Sequence, residues 1–429
     1  MTIIRVTAVA LSAFLATPVV VAGSPTRTAA TPDLPCPAVK PAVPPPAVAS
    51  PPPVGAADRA VGGAALATTG LAIPVGAPTA PAVTATSWLV ADLDSGAVLG
   101  GCGPHELRTP ASVQKMLLAA ALMPRLDPTQ MVEVTRADLQ DLDPASSLMG
   151  VVEGGRYSIE SLWLGLLLKS GNDAANVLAR VGGAAAGRPG GVQAMNNEAH
   201  RLRANQTHAA TPSGLDGPGQ YTSAYDLALI ARATYAREDF RRYIATRVAQ
   251  IAGDAGTPGF AITHDNTLLD HYPGTLGGKT GFTDLARQTY VGVAERNGRR
   301  LTVTLLGAET APLGSLGEAG ALLDWGFALS PGASVGRLVT PGEKTDDHAA
   351  SAGEGEHHGQ AGDRSLLSFP AVLGLGAAAA LAVVLLAAPR WRRAVRQASP
   401  RPPARRPAPR SRAPRRAAGS PPGPDRPGS

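Results

Sequence analysis

The chain is short of cysteine, and this scarcity limits the chemistry that its thiols can perform. Its 429 residues contain two cysteines, Cys36 and Cys102. Neither is accompanied by the histidine and asparagine motifs that serve a cysteine nucleophile, which argues against thiol catalysis. An exported protein can form a disulfide, but the sequence determines neither the distance nor the geometry between these residues, so their pairing stays open.

Net positive charge is absent over most of the chain and is confined to its end. The whole chain carries a formal net charge of +6, whereas residues 390–429 contain twelve arginines and one aspartate, a local charge of +11. Subtracting +11 from +6 leaves −5 for residues 1–389, so the larger part of the chain is not basic. The tail has no folded module and no pattern of interleaved aromatic residues, which disfavours nucleic-acid binding.

The 40 prolines are concentrated outside the middle of the chain. Residues 1–22 combine one arginine, an apolar run and a small-residue ending, as in a secretory signal peptide. Residues 23–86 are rich in proline, alanine and valine and predict a semi-rigid spacer without a packed core, although residues 62–73 are apolar enough to pack. A folded domain is expected over residues 87–330, followed by a polar linker over residues 331–365.

A membrane anchor is predicted after the linker. Residues 366–388 contain no charge and as a helix would be about 34 Å long, enough to cross the hydrocarbon core of a bilayer. The positive-inside rule then places the arginine-rich tail, residues 389–429, in the cytoplasm and the folded domain outside the cell membrane. The acidic and histidine residues at 346–358 lack a packed scaffold and are interpreted as linker, not as a metal site.

The folded part is organised around the segment from Thr109 to Lys115. Thr109 is predicted to be a helix N-cap with Pro110 at the first helical position, which places Ser112 in the first turn. Spacing of three residues then brings the Lys115 amine within reach of the Ser112 hydroxyl. A desolvated lysine at a helix N-terminus loses its proton more easily, as a general base must.

Two further motifs follow in order. Ser170-Gly171-Asn172 comes after an apolar run, and Lys279-Thr280-Gly281 lies in a β-rich region. Ser-x-x-Lys, Ser-x-Asn and Lys-Thr-Gly together are the signature of penicillin-binding proteins and serine β-lactamases. With their flanking sequences, the region from Ser87 to Phe327 resembles the low-molecular-weight penicillin-binding D-alanyl-D-alanine carboxypeptidases. Those flanking sequences are Ser170–Ala175, Gly214–Gly217, Ser223–Ala228 and Gly278–Thr283.

The resemblance implies roles for the motif residues. Ser112 would be the nucleophile and Lys115 its base, with Ser170 in the proton relay and Asn172 on the peptide carbonyl of the substrate. Further roles fall on the third motif: Lys279 and Thr280 would bind the terminal carboxylate, Gly281 would allow close approach of the substrate, and Phe282 would share the oxyanion hole with Ser112 through backbone N–H groups.

The implied partners are a peptidoglycan stem peptide ending in D-Ala-D-Ala and, as inhibitors, β-lactam antibiotics. No metal and no organic cofactor is expected. Ser170 and Asn172 also have the simpler interpretation of helix caps, and Lys279 that of a solvated strand lysine. Asp173 is interpreted as a residue that orients Lys169 or caps a helix.

The expected fold is α/β and β-lactamase/transpeptidase-like: an antiparallel sheet flanked by helices, with an inserted mainly α lobe. Residues 87–99 predict one hairpin and residues 288–307 a second, with Asn297-Gly298 as its turn. Helices are expected over residues 162–181, interrupted at Ser170, and over residues 318–327. The Ser112 helix is expected to pack on the first hairpin, and the motifs to meet at the seam between sheet and lobe.

Other functions remain open to different degrees. A β-lactamase of the commonest class would need a Glu-x-x-Leu-Asn motif, which is absent between Asn172 and Lys279. Nucleotide binding at residues 274–280 is disfavoured because Pro273 occupies the position of the first glycine. A non-catalytic wall-binding sensor is disfavoured by the lack of a folded cytoplasmic domain. Endopeptidase action on peptide cross-links, the exact stem peptide and the oligomeric state are left open.

Overall fold

The computed structural model describes residues 33–41, 52–143, 145–253, 256 and 258–343. The predicted signal peptide, the predicted span at 366–388 and the arginine-rich tail lie outside the described residues. In the part of the chain that is described, no helix is both long enough and apolar enough to cross a membrane.

Strands are grouped toward both ends of the described chain, and most of the helices lie between them. The strands are β1 (Leu71–Ala72), β2 (Ser87–Asp92), β3 (Ala97–Cys102), β4 (Met131–Glu133), β5 (Arg156–Ser158), β6 (Val248–Ile251), β7 (Phe260–Thr263), β8 (Thr275–Thr283), β9 (Arg287–Arg296), β10 (Arg299–Ala308) and β11 (Gly336–Arg337). The α-helices are α1 (Ala56–Arg59), α2 (Lys115–Leu122), α3 (Arg136–Leu139), α4 (Ile159–Leu168), α5 (Asn172–Gly182), α6 (Gly187–Arg201), α7 (Ala224–Tyr235), α8 (Glu238–Ile244), α9 (Leu268–His271) and α10 (Gly314–Ala328).

The domain is built on an antiparallel sheet with the strand order β1-β3-β2-β10-β9-β8. Strand β11 also pairs with β3. Both predicted hairpins are confirmed. In the β9–β10 turn, Asn297 and Gly298 have φ angles of +52° and +75°, which a tight hairpin turn requires of its two central residues. The third motif lies within β8, at the end of this sheet.

Alternating side chains pack helices onto both faces of the sheet. In β2, Trp88 and Val90 belong to the cluster that contains α10, whereas Leu89 and Ala91 belong to the cluster that contains α7. This period of two is the one expected of a strand buried on both faces. The predicted class, an antiparallel sheet flanked by helices with an inserted α lobe, is confirmed.

The helix that begins at Lys115 lies inside the α lobe, and the prediction that it packs on the first hairpin is wrong. All eight residues of α2 are buried, and its principal helix contacts are with α5, α6 and α7. An amphipathic helix on a sheet would expose one face, whereas α2 is apolar all round after Lys115. It is therefore the central helix of the lobe.

The folded domain extends beyond both predicted boundaries. Within the predicted spacer, residues 52–86 pack onto the domain, with Leu66 and Val83 buried and β1 paired to β3. The expected packing of residues 62–73 is thus confirmed, but the assignment of the rest of residues 52–86 to an unpacked spacer is wrong. The predicted linker likewise begins too early, because β11 joins the sheet after residue 330. The high proline and alanine content of these segments led to the prediction that they do not pack. Their few apolar side chains are nevertheless enough to dock them on an existing core.

Cys36 and Cys102 form a disulfide. Their Cα atoms are 5.9 Å apart, and the bond joins residues separated by 66 positions. Nearby, Leu71 N–H donates to Leu34 C=O over 2.7 Å and Val39 N–H to Val83 C=O over 2.9 Å. The segment from residue 33 to 41 is therefore fastened to the sheet edge by one covalent bond and by backbone hydrogen bonds.

Reduction of this disulfide should lower the free energy of unfolding by about 2–4 kcal/mol, because an open chain gains the conformational freedom that the long loop had lost. Urea unfolding of the full-length protein with and without a thiol reductant measures the difference. The double variant Cys36→Ser/Cys102→Ser should show the lower stability and no response to reductant. Equal unfolding midpoints for the oxidised and reduced protein would contradict the prediction.

Candidate active site

Ser112 lies in a tight turn that precedes α2. Residues Ala111–Gln114 form a 3₁₀ helix whose N-cap is Pro110, so the prediction of Thr109 as the cap is wrong. Ala111 has a φ of +50°, a left-handed conformation that is uncommon for alanine. Thr289 of β9 donates its hydroxyl hydrogen to Pro110 C=O over 2.8 Å. The sheet therefore holds the backbone that presents Ser112.

Lys115 is completely buried and lies in contact with the serine. Its Nζ is 2.7 Å from Ser112 Oγ, and it donates to Asn172 Oδ1 over 2.7 Å and to Ser213 C=O over 2.9 Å. The last two partners are oxygens that only accept. A neutral lysine amine, with two N–H groups, can satisfy both and still point its lone pair at the serine hydroxyl.

The surroundings favour this neutral amine. Burial lowers the pKa of Lys115 well below the usual lysine value, because desolvation penalises the ammonium form. The charge of Lys279 lowers this pKa further, and that of Asp173 opposes the change. The predicted contact between Ser112 and Lys115 is therefore present. The surroundings of Lys115 also lower its pKa, as the prediction requires.

Ser170 and Asn172 lie where α4 ends and α5 begins, as the break in the apolar pattern predicts. Ser170 has a φ of +58°, and both residues line the same cavity as Ser112. The alternative interpretation as helix caps is wrong, because the N-cap of α5 is Gly171 and no side chain caps it. The motif therefore delivers its side chains to the cavity.

Lys279 lies behind the cavity wall instead of lining it. Its side chain is buried, so the alternative of a solvated strand lysine is wrong, and its Nζ donates to Thr280 C=O over 2.7 Å. Desolvation lowers the pKa of Lys279 to about 8. Thr280, Gly281 and Phe282 do line the cavity.

Gly281 is required by a close contact within the protein, apart from its predicted role in the approach of substrate. A Cβ at this position would lie 2.4 Å from Thr289 Oγ1 and 2.7 Å from Ser112 N. Only a glycine lets β8 pass this close to the turn that carries Ser112. The first and third motifs are thus in direct backbone contact.

The cavity at this seam has a volume of about 650 Å³. No lysine or arginine of the described chain is among its lining residues, and its titratable lining residues are Asp265 and His271. Besides the motif residues, the wall comes from segments that sequence reasoning missed. These segments contribute Ala145, Ser146, Ser147, Leu215, Asp265, Thr267, Leu268, His271, Gln288, Leu313, Gly314, Ser315, Leu316 and Gly317.

Ser213 is the other functional residue that sequence reasoning missed. It acts through its backbone carbonyl, and any residue type can supply a carbonyl, so its identity carries no signal. The only available signal was the adjacent Gly214. This glycine has a φ of +87°, and a Cβ there would lie 2.0 Å from Ala111 C=O.

A helix-flanked antiparallel sheet, an inserted α lobe and a Ser–Lys pair at their seam together define the class of penicillin-binding proteins and serine β-lactamases. A family model described as D-alanyl-D-alanine carboxypeptidase, peptidase S11, matches residues 75–310. Because the match covers more than half of the chain, the chain belongs to the peptidase S11 family of D-alanyl-D-alanine carboxypeptidases.

Individual relatives agree with this assignment. The chain is 43% identical to D-alanyl-D-alanine carboxypeptidase DacB2 of Mycobacterium tuberculosis over 62% of this chain and 90% of the relative. It is 34% identical to DacD of Escherichia coli over 58% of this chain and 65% of the relative, which is less than two thirds of DacD.

Solved structures show the same fold. A D-alanyl-D-alanine carboxypeptidase from Mycobacterium tuberculosis H37Rv superposes with a TM-score of 0.58 at 42% identity, covering 62% of this chain and 99% of that one. The DD-transpeptidase of Streptomyces K15 superposes with a TM-score of 0.56 at 25% identity, covering 59% of this chain and 100% of that one.

Gly281→Ala should lower kcat/KM about a hundredfold while the protein stays folded, because the added methyl group must push β8 away from Ser112 N by a large fraction of an ångström. Gly217→Ala is the matched control, since a Cβ at Gly217 meets nothing within 4 Å. Steady-state kinetics and thermal unfolding of both variants test this. Wild-type kcat/KM in Gly281→Ala would show that the close approach does not matter.

Proposed function

We propose that this protein removes the terminal D-alanine of peptidoglycan stem peptides through an acyl-enzyme on Ser112. The observation that carries the proposal is the contact of 2.7 Å between Ser112 Oγ and the buried Lys115 Nζ, beside a cavity that the other two motifs also line. The family assignment supports the same activity and supports β-lactams as inhibitors. No metal or organic cofactor enters the reaction as we propose it.

In the acylation step, Lys115 takes the hydroxyl proton of Ser112 as Oγ attacks the carbonyl carbon between the two D-alanines. The backbone N–H groups of Ser112 and Phe282 stabilise the oxyanion. The carbon–nitrogen bond then breaks, the proton passes through Ser170 to the leaving amine, and free D-alanine departs. Asn172 holds the peptide carbonyl of the substrate through its amide nitrogen, since its oxygen accepts from Lys115.

In the deacylation step, Lys115 is neutral again and removes a proton from water, which attacks the ester carbonyl. The carbon–oxygen bond to Ser112 breaks, and the serine regains its proton. The product is the stem peptide shortened by one D-alanine. Each half of the reaction uses the same base, so a single lysine that can be neutral near pH 7 serves both.

The terminal carboxylate of the substrate needs a positive partner, and we assign that role to Lys279 acting with Thr280. The Thr280 side chain reaches the cavity, and the Lys279 ammonium lies behind it. No lysine or arginine of the described chain lines the cavity, so we assign the role to the buried motif lysine whose Nζ donates to the carbonyl of the lining residue Thr280. A free carboxylate marks the end of a peptide, which is what an exopeptidase recognises.

Ser112→Ala should abolish D-alanine release, since no other group in the proposed reaction can form the ester. The full-length protein is incubated with a stem peptide ending in D-Ala-D-Ala, and free D-alanine is measured. A labelled penicillin should modify the wild type covalently and leave the variant unlabelled. D-Alanine release by the variant, or label on a different serine, would overturn the assignment.

Amidation of the substrate's terminal carboxylate should lower kcat/KM about ten- to a hundredfold, because hydrogen bonds to charged groups are worth about 1.5–3 kcal/mol. In Lys279→Ala the same amidation should have a much smaller effect, since the partner charge is already absent. The cycle of two enzymes and two peptides isolates this interaction. Equal losses in both enzymes would favour endopeptidase action on cross-links.

We further propose that residues 366–388 anchor the protein in the cell membrane, with residues 389–429 in the cytoplasm and the catalytic domain outside. The support is the uncharged apolar run followed by the arginine-rich tail. Deleting residues 366–388 should move the protein from the membrane fraction to the soluble fraction. Deleting residues 346–358 is the control and should leave it with the membrane. Retention of the first deletion in the membrane would refute the anchor.

A further inference from the structure

We propose that Asp173 is a positioning residue of this reaction: its buried carboxylate holds the segment of residues 145–151, called the wall because its first three residues line the cavity, and supplies a negative charge that acts on Lys115. The inference rests on the proposed function. The interpretations of Asp173 from the sequence fail here, because Lys169 pairs with Asp265 over 2.6 Å and the cap of α5 is Gly171.

The carboxylate of Asp173 accepts hydrogen bonds from three successive residues of the wall. Oδ1 accepts from Met149 N–H over 2.8 Å, and Oδ2 accepts from Gly150 N–H over 2.8 Å and from Val151 N–H over 3.1 Å. Oδ1 also accepts from Ala174 N–H over 2.8 Å, in the first turn of α5, where a negative charge is favourable. Asp173 is 1% exposed, so few other partners can replace these donors.

The wall is built closely onto the second motif. Asn172 N–H donates to Ser147 C=O over 2.9 Å, next to the bonds of Asp173. A Cβ at Gly171 would lie 2.9 Å from Met149 N, and one at Gly165 would lie 2.1 Å from Met149 Sδ. Ser146 and Ser147 line the same cavity as the third motif. A looser bond to Asp173 therefore moves residues that contact the substrate.

The same carboxylate also acts on the base. Asp173 follows Asn172, whose Oδ1 accepts from Lys115 Nζ over 2.7 Å. Two charges act on this amine: Lys279 from β8, which favours the neutral form, and Asp173 from α5, which favours the ammonium. Ser213 contributes a neutral carbonyl. Asp173 thus keeps the pKa of Lys115 from falling further, so that the amine can still hold the proton it takes from Ser112.

Removal of the charge gives a shift of defined sign. In Asp173→Asn the ammonium form of Lys115 loses its favourable neighbour, so its titration midpoint should fall, by about one pH unit. The acidic limb of the kcat/KM profile, where Lys115 becomes neutral, should move to lower pH by the same amount. The plateau should fall about tenfold, because an amide NH₂ now faces wall N–H groups that need an acceptor.

The titration can be read without turnover. The chain contains five lysines, so the full-length protein labelled with ¹³C at lysine Cε gives few NMR signals, and Lys115→Arg identifies that of Lys115. A lower midpoint in Asp173→Asn supports the inference, and an unchanged or higher midpoint overturns its electrostatic half. An inactive wild type would count against the proposed function, whereas the midpoint would still decide the role of the charge.

Two further variants separate the wall from the charge. Gly150→Ala places a side chain at a φ of +99° and disturbs the wall alone, so kcat/KM should fall while the Lys115 midpoint stays constant. Asp173→Glu keeps the charge but misplaces it, so the plateau of kcat/KM should fall with little change in the Lys115 midpoint. This variant tests the wall even if Asp173→Asn does not fold. Wild-type kcat/KM in both variants would overturn the role of the wall.

Asp138→Asn is the matched control for a buried carboxylate. Asp138 is 2% exposed and accepts from Thr135 and Arg180, away from the cavity. This variant should lose stability but keep the wild-type Lys115 midpoint and the position of the acidic limb. An equal shift in Asp138→Asn would show that the effect of Asp173 reflects general destabilisation, and would overturn the inference.

Discussion

The burial of one amine, that of Lys115, is the constraint on which the rest of the site depends. An ammonium group without water is costly, and the group avoids this cost by releasing its proton or by gaining polar partners. Here the partners are the Asn172 amide oxygen and the Ser213 carbonyl, which come from two different segments of the chain. These two acceptors orient the amine toward Ser112, while burial and the charge of Lys279 disfavour its ammonium form.

This arrangement requires close contact between the sheet and the α lobe. Strand β8 approaches the turn that carries Ser112 so closely that only a glycine is accommodated at position 281. Thr289 of β9 donates a hydrogen bond to Pro110 C=O, which precedes this turn. The left-handed φ angles of Ala111 and Ser170 show that backbone strain is located at the two points where motif side chains enter the cavity. Dense packing on both faces of the sheet holds these conformations in place.

The two lysines of the motifs lie behind the cavity lining and not at its surface. The described lining of the cavity includes no lysine or arginine, whereas Lys115 and Lys279 lie buried behind it and Asp173 lies buried beside it. In such surroundings a charge is poorly screened and acts over a longer distance than it would in water. The electrostatic field in the cavity is therefore set in part by buried groups behind its lining.

The sequence by itself determined the three motifs, their order, the two hairpins and the α/β class, because each depends on local spacing or on a turn residue such as Gly298. It did not reveal the Ser213 carbonyl or the wall bonds of Asp173, because these use backbone groups that every residue carries. It also left the Cys36–Cys102 bond open and did not predict the docking of residues 52–61 and 74–86. Those depend on which surfaces meet in three dimensions, and only the tertiary structure brings segments that are distant in the chain within hydrogen-bonding or covalent reach.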